Sequence, residues 1–239
     1  MRTPSPARPD RLVFGRANLL FAALGAVLVA AVLLLGFGVG LRWIADATRR
    51  AGLSEDTGPV SLRIGREALA IPANLIRFAD QRRGGEQPRV DLQLVWPELE
   101  GYSPAAVEAF ADPAGGRIVH LSLAPREAAF DEAMRLRAVY SRLFAGEPRQ
   151  DPVGLTVRRF AEGSGYDGEE VYYGSGPAPF VARCPAGDGP DFTTCQREVH
   201  AGTGLSVTQR FPKALLGDWR ALDARLHDLV ERLRGAPGG

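Results

Sequence analysis

The longest apolar stretch of the chain runs from Ala17 to Leu41, uncharged and with Asn18 as its one strongly polar residue. A helix at the edge of a soluble core keeps polar residues outward, whereas Leu19-Leu20-Phe21-Ala22-Ala23-Leu24 and Val32-Leu33-Leu34-Leu35 leave none. About 20 such residues, at about 1.5 Å each, cross a bilayer, so the pattern predicts a transmembrane helix over 17–41. A cleaved signal peptide is the rival, because Ala45-Asp46-Ala47 has the small-x-small form of a cleavage site. The run exceeds the roughly 7 to 15 residues of a signal-peptide core, which favours a span that stays attached. The expected layout is a cytoplasmic N-terminal segment over 1–16, the transmembrane helix over 17–41, a linker over 42–59, a periplasmic domain over 60–235 and a disordered tail over 236–239.

Beyond residue 59 the period changes to two. Val60, Leu62 and Ile64 alternate with Ser61 and Arg63, Gly65-Arg66 offers a Gly-first two-residue turn, and Glu67 to Ile71 returns as a second strand ended by Pro72. Val90, Leu92, Leu94 and Trp96 form another alternation, and Val119, Leu121 and Leu123 a third. Between Arg126 and Phe144 the apolar residues Ala129, Ala133, Leu136, Tyr140 and Leu143 fall three or four apart, predicting a helix that Gly146 ends. Five short segments separated by turn residues follow, at Leu155 to Phe160, Glu169 to Tyr173, Pro179 to Arg183, Arg197 to Ala201 and Leu205 to Phe211, the spacing of an antiparallel meander. The last helix starts near Pro212, and its stripe is Leu215, Trp219, Leu222, Leu226, Leu229 and Leu233. The expected fold class is α+β: one N-terminal transmembrane helix, then a soluble domain of antiparallel sheet, hairpin plus meander, with two packed helices.

Charge narrows the function classes. The net charge is +1, and no basic surplus gathers on one segment, which argues against nucleic acid as a partner. Lys213 is the only lysine, and together with abundant Ala, Gly and Pro the arginine bias reads as a GC-rich bacterial coding sequence. Arg2, Arg8, Arg11 and Arg16 before the apolar run against Arg42, Arg49 and Arg50 after it give a small bias toward a cytoplasmic N-terminus. Cys184 and Cys195 have no nearby histidine set for zinc, so a disulfide closing a short loop is expected, in an oxidising compartment. Together these place the chain in the bacterial inner membrane, single-pass, with the C-terminal domain in the periplasm.

No motif compels a catalytic, cofactor or metal assignment, and none is made. Gly163-Ser164-Gly165-Tyr166-Asp167-Gly168 matches G-x-G-x-x-G, yet Glu169-Glu170-Val171-Tyr172-Tyr173 after it reads as strand, which favours a hairpin loop over a dinucleotide site. His120, His200 and His227 are scattered and no G-x-S-x-G accompanies them. Asp167, Glu169 and Glu170 lack the spacing of a calcium loop. Gly36 and Gly40 form a small-xxx-small pair, a possible helix-helix contact through which the chain would self-associate. Tyr166, Tyr172, Tyr173 and Phe180 crowd one loop and its strands, a candidate surface for another envelope protein or a glycan, with a two-sided core as the plainer reading.

Four stretches carry a resemblance: Ile71-Pro72-Ala73-Asn74-Leu75-Ile76-Arg77-Phe78, Trp96-Pro97-Glu98-Leu99-Glu100-Gly101-Tyr102, Phe180-Val181-Ala182-Arg183-Cys184, and Arg210-Phe211-Pro212 leading to Asp218-Trp219. With the leading apolar run, the chain resembles a group of single-pass inner-membrane proteins of alphaproteobacteria whose function is unknown. That resemblance implies an envelope-facing placement and brings no site residues. The expected role is a non-catalytic interaction or complex-stabilising envelope protein, with the lipid bilayer and another envelope protein as partners. The alternative is a membrane-tethered hydrolase acting on a glycan or another envelope substrate.

Overall fold

The computed structural model of the chain describes residues 16–50, 52–112, 116–187 and 193–235. Most of the expected 1–16 segment, and the whole 236–239 tail, lie outside the described residues. The chain divides into two compact units, Met1–Ala51 and Gly52–Gly239.

The first unit contains α1 (Arg16–Arg50), where apolar side chains such as Phe21, Leu24, Leu34 and Phe37 are exposed. Among the described residues no helix is long and apolar enough to cross a membrane. The expected transmembrane helix over 17–41, the fold class that included it, and the single-pass inner-membrane localisation with a periplasmic domain are corrected on that finding.

The second unit is α+β. β1 (Pro59–Ile64) and β2 (Glu67–Pro72) form the hairpin that the alternation implies, with Val60 opposite Ile71 and Gly65 supplying a φ of +57° at the turn. The short β3 (Gly85–Glu86) adds to β1 in parallel, completing a three-stranded sheet of order β2-β1-β3.

The second sheet has eight strands: β4 (Val90–Val95), β5 (Ile118–Pro125), β6 (Phe144–Gln150), β7 (Thr156–Phe160), β8 (Glu169–Tyr173), β9 (Val181–Pro185), β10 (Thr194–Ala201) and β11 (Leu205–Pro212). Their order is β4-β5-β11-β10-β9-β8-β7-β6, and every neighbouring pair is antiparallel. The helices of this unit are α2 (Val107–Ala111), α3 (Glu132–Ala138) and α4 (Trp219–Gly235).

Two apolar layers share the sheet because successive strand residues point to opposite faces. On one face Leu121, Ala182, Val207 and Phe211 join the β1–β2 leucines and isoleucines and the α4 stripe Leu222, Leu226, Leu229 and Leu233 in the main core. On the other, Val171 and Val181 pack with Tyr140, Phe160 and the α3 residues Ala133 and Leu136. Cys184 and Cys195 form a disulfide between directly opposed positions of β9 and β10, with Cα atoms 4.2 Å apart, inside the main core.

Two helix expectations shift. The Asp131 carboxylate accepts the Met134 N–H at 2.8 Å and so caps α3, delaying its start. The helix ends at Ala138, and Phe144 onward pairs with β7 instead. Gly146, expected to stop a helix, lies within β6 at a φ of +66°. Pro212 closes β11, and a 3-10 segment, Lys213–Asp218, precedes α4.

The sheet margins differ from its interior. β6 is exposed along almost its whole length, carries Pro148, and shifts register between Ala145 and Arg149. At the far margin the Arg77 N–H donates to the Asp91 carbonyl at 2.8 Å, and Ile76 bridges to Leu92.

Candidate functional site

β10 reads Cys195, Arg197, Val199, Ala201 along one face, and β11 reads Leu205, Val207, Gln209, Phe211 along the same face. Two polar residues therefore sit in apolar rows, and the register sets them directly opposite each other, Arg197 against Gln209. Both are nearly fully buried, at 6% and 3% exposure. They line a cleft of about 510 Å³ whose other wall comes from α4 through Trp219, Asp223 and His227. The cleft extends to Pro179 and His200, past the end of the β9–β10 pairing, which is confined to Gln196 and Arg183.

The Arg197 charge is compensated. Its Nη1 donates to Asp223 Oδ1 at 2.6 Å, and its guanidinium lies over the Phe180 ring at 4.4 Å. Phe180 in turn packs on Trp219 at 5.3 Å between ring centroids, and the indole N–H donates to the Val153 carbonyl at 3.2 Å. The aromatic wall is thus fixed by packing and by its own polar handle. Arg197 Nε and Gln209 Oε1, by contrast, find no hydrogen-bond partner within the protein among the described residues, and neither does His200 Nε2 in the same cleft.

The carboxylates around this cleft are committed. Asp131 caps α3, and Asp223 holds Arg197. Burial pushes the Glu198 carboxyl up, yet the Ser206 hydroxyl and the Arg135 guanidinium at 2.8 Å more than offset it and hold it below the usual carboxylate range. Burial, aided by the Arg126 charge, holds His200 below its ordinary value. Among the described residues no group of three or more His, Cys, Asp or Glu is placed to hold a metal ion.

Two further charged clusters do structural work. Under α3, Glu132 accepts from Tyr140 Oη at 2.6 Å and Arg183 Nε at 2.9 Å, and Arg183 reaches Glu169 at 2.8 Å. A second cleft of about 450 Å³ gathers Arg149, Arg159 and Lys213 around Glu170 and Tyr172. Arg159 is held by Glu170 at 2.8 Å, while Lys213 Nζ bonds the Pro185 and Gly187 carbonyls. The lone lysine is therefore a loop clamp.

The residues singled out from sequence fall in several places. Tyr172 and Phe180 are buried in the main core, while Tyr166 and Tyr173 are partly buried against the α3 layer, with Tyr166 stacked on Phe160 at 4.6 Å. Gly36 and Gly40 lie on α1, where an added Cβ would meet nothing within 4 Å. The glycine-rich loop 163–168 leads into β8, and Asp167 accepts the Gly163 N–H at 2.6 Å. His120 lies on β5, whereas His200 and His227, distant in sequence, meet at the cleft. Arg197 and Gln209 escaped notice as site residues, although a polar residue inside an apolar alternation was the sequence mark that could have found them.

No family model matches the chain, and no curated protein matches it. Among solved structures, the chain is similar to an immunity protein of the Stenotrophomonas maltophilia type IV secretion system, with a TM-score of 0.51 and 16% identity over 75% of this chain and 94% of that one. It is also similar to the iron-regulated outer membrane lipoprotein FrpD of Neisseria meningitidis, with a TM-score of 0.46 and 12% identity over 77% of this chain and 95% of that one. The first likeness is one of fold alone; a TM-score of 0.46 is too low to carry even that.

Proposed function

We propose that the chain is a non-catalytic interaction protein whose partner docks at the cleft between α4 and the β10–β11 pair. The carrying observation is how the polar groups there are disposed. The acids are tied up in ion pairs and a helix cap, while the cleft itself stays open beside the Trp219 ring and exposed Ala224 and His227. Such a site suits recognition better than turnover, since proton transfer needs a group free to change charge near the working pH. A fold shared with a protein named as an immunity protein supports an interaction role. The buried disulfide favours a compartment where disulfides persist.

The test places a photo-crosslinker at Ala224, an exposed residue of the cleft wall, in the full chain in its native cell. A discrete protein adduct, identified by mass spectrometry and lost when His227→Asp, at another exposed residue of the cleft wall, is introduced without a change in thermal midpoint, is the expected result. An adduct indifferent to His227→Asp, or none at all, would remove the reading.

A further inference from the structure

We infer that the second cleft, where β6, β7 and β8 meet the Lys213–Asp218 segment, binds a dianionic oxyanion: phosphate, or the phosphate group of a small monoester. The site is separate from the α4–β10–β11 cleft, and the inference does not rest on the role proposed there.

The register slip in β6 decides which side chain the cleft receives. β6 and β7 pair Ala145 with Arg159, and that register continued regularly would set Glu147 against Val157. Two extra residues intervene on β6, so Arg149 stands opposite Val157 instead. The slip therefore exchanges an acid for a base at this one place. Arg159 lies two residues from Val157 on the same face of β7, and Glu170 of β8 is directly opposite Arg159.

One carboxylate draws both guanidinia together. Arg159 Nε donates to Glu170 Oε1 at 2.8 Å, and Arg149 Nη2 reaches Glu170 Oε2 at 3.5 Å. The Tyr172 hydroxyl donates to the same Oε2 at 3.1 Å, and Lys213 Nζ lies 5.3 Å from the centre of the Tyr172 ring. Bonds to the Pro185 and Gly187 carbonyls fix the lysine in that position. Three cations thus gather round a single buried carboxylate whose two oxygens are already engaged. Asp151, the other acid lining the cleft, accepts the Val153 N–H at 3.0 Å. Positive charge is left in surplus.

The cations are within reach of a solute. The Glu170 side chain is 2% exposed and forms the floor, whereas those of Arg149 and Arg159 are 57% and 66% exposed. Among the described residues Arg159 is engaged through Nε and Arg149 through one Nη, so each guanidinium keeps N–H donors for an incoming oxygen. Two planar forks and an ammonium offer more charge and more donors than a carboxylate, with one charge and two oxygens, can use; a tetrahedral dianion matches them. The volume of about 450 Å³ falls in the range of small-molecule sites, which leaves room for the organic part of a monoester.

The test uses the full chain labelled with ¹⁵N and follows the Nε–H resonance of Arg159, assigned by its loss in Arg159→Lys. Inorganic phosphate, phenyl phosphate and acetate are titrated at one ionic strength held with sodium chloride, so that general screening stays constant. Saturable shifts with phosphate or phenyl phosphate are expected, at least about tenfold tighter than with acetate and weakened at least about tenfold in Arg149→Gln. Tighter binding of phenyl phosphate would identify a monoester as the ligand, and equal binding the free ion. Arg232→Gln, which removes an exposed arginine of α4 outside the cleft, should leave the affinity unchanged. Should Arg149→Gln fail to fold, Gly217→Glu, where an added side chain meets nothing within 4 Å, must abolish binding by placing an acid in the cleft wall. Acetate binding as tightly as the phosphates, an equal loss in Arg232→Gln, or no saturable shift with either phosphate would each overturn the inference.

Discussion

The Tyr102 N–H donates to the Asn74 carbonyl at 3.1 Å, and Asn74 Nδ2 donates back to the Tyr102 carbonyl at 3.2 Å. This reciprocal pair ties the segment after β2 to the turn after β4. It brings the two backbones so close that a Cβ on Gly101 would stand 2.7 Å from Leu75 N and closer still to the Asn74 carbonyl. Backbone atoms cannot swing aside as a side-chain tip does. Gly101→Ala is expected to cost about 1–3 kcal/mol, measured as a lower urea midpoint, and an unchanged midpoint would show that the crossing spreads freely.

Breaking the Cys184–Cys195 bond acts on the unfolded chain as well as on the core. The two cysteines are 11 residues apart, and closing so short a loop is worth about 2–3 kcal/mol in the chain-entropy account. Replacing both by alanine should lower stability by at least that amount under oxidising conditions. The same replacement should make the protein indifferent to added reductant, which a thermal melt with and without reductant reads directly.

The ion-pair layer beneath α3 separates two kinds of loss. Tyr140→Phe removes one hydrogen bond to a buried carboxylate, at 2.6 Å, and should cost about 1–3 kcal/mol. Glu132→Ala takes that partner from Tyr140 and one each from Arg183 and Arg135. Arg183 keeps Glu169 and Arg135 keeps Glu198, so the loss is that of a buried three-way acceptor rather than of all pairing, and is expected to cost about 3 kcal/mol. Denaturant titrations in which Glu132→Ala proved the milder change would show that these charges are well solvated.

Acid sensitivity should appear before the carboxylates titrate. Burial, reinforced by Arg77 and Arg210 and opposed by Asp91, pushes His120 down to about 4 from an ordinary 6.5. Between those values the unfolded histidine binds a proton that the folded one refuses, so stability falls as pH drops through the window. From pH 6.5 to 5 the loss attributable to His120 is about 2 kcal/mol, and His200, also lowered, acts in the same direction. His120→Gln should flatten the dependence of the urea midpoint over that range; parallel curves for the two proteins would refute the assignment.

The strands of the second unit were legible because alternation marks any strand with one wet face, as in Val119, Leu121 and Leu123 of β5 or Leu205 and Val207 of β11. β6 was not, since a strand exposed on both faces has no alternation to show. The helix expected over 126–144 came out short because its apolar spacing continues past Ala138, into residues that pack on the sheet beyond the α-helix, Tyr140–Arg142 as a 3-10 turn. The apolar run before residue 42 gave a length, whereas the membrane assignment drawn from it is not upheld among the described residues. At the cleft, composition alone could not separate Arg197 from the many solvated arginines; only its place between Cys195 and Val199 does so.

Sheet margins decide what an eight-stranded ribbon does in a crowded solution. A proline, a register slip and a positive-φ glycine spoil the template along β6, while the 76–77 segment already occupies the outer side of β4. Neither border invites another strand to extend the ladder, so concentrated protein should resist fibrillar growth, and a visitor must be read by side chains rather than by main-chain zippering.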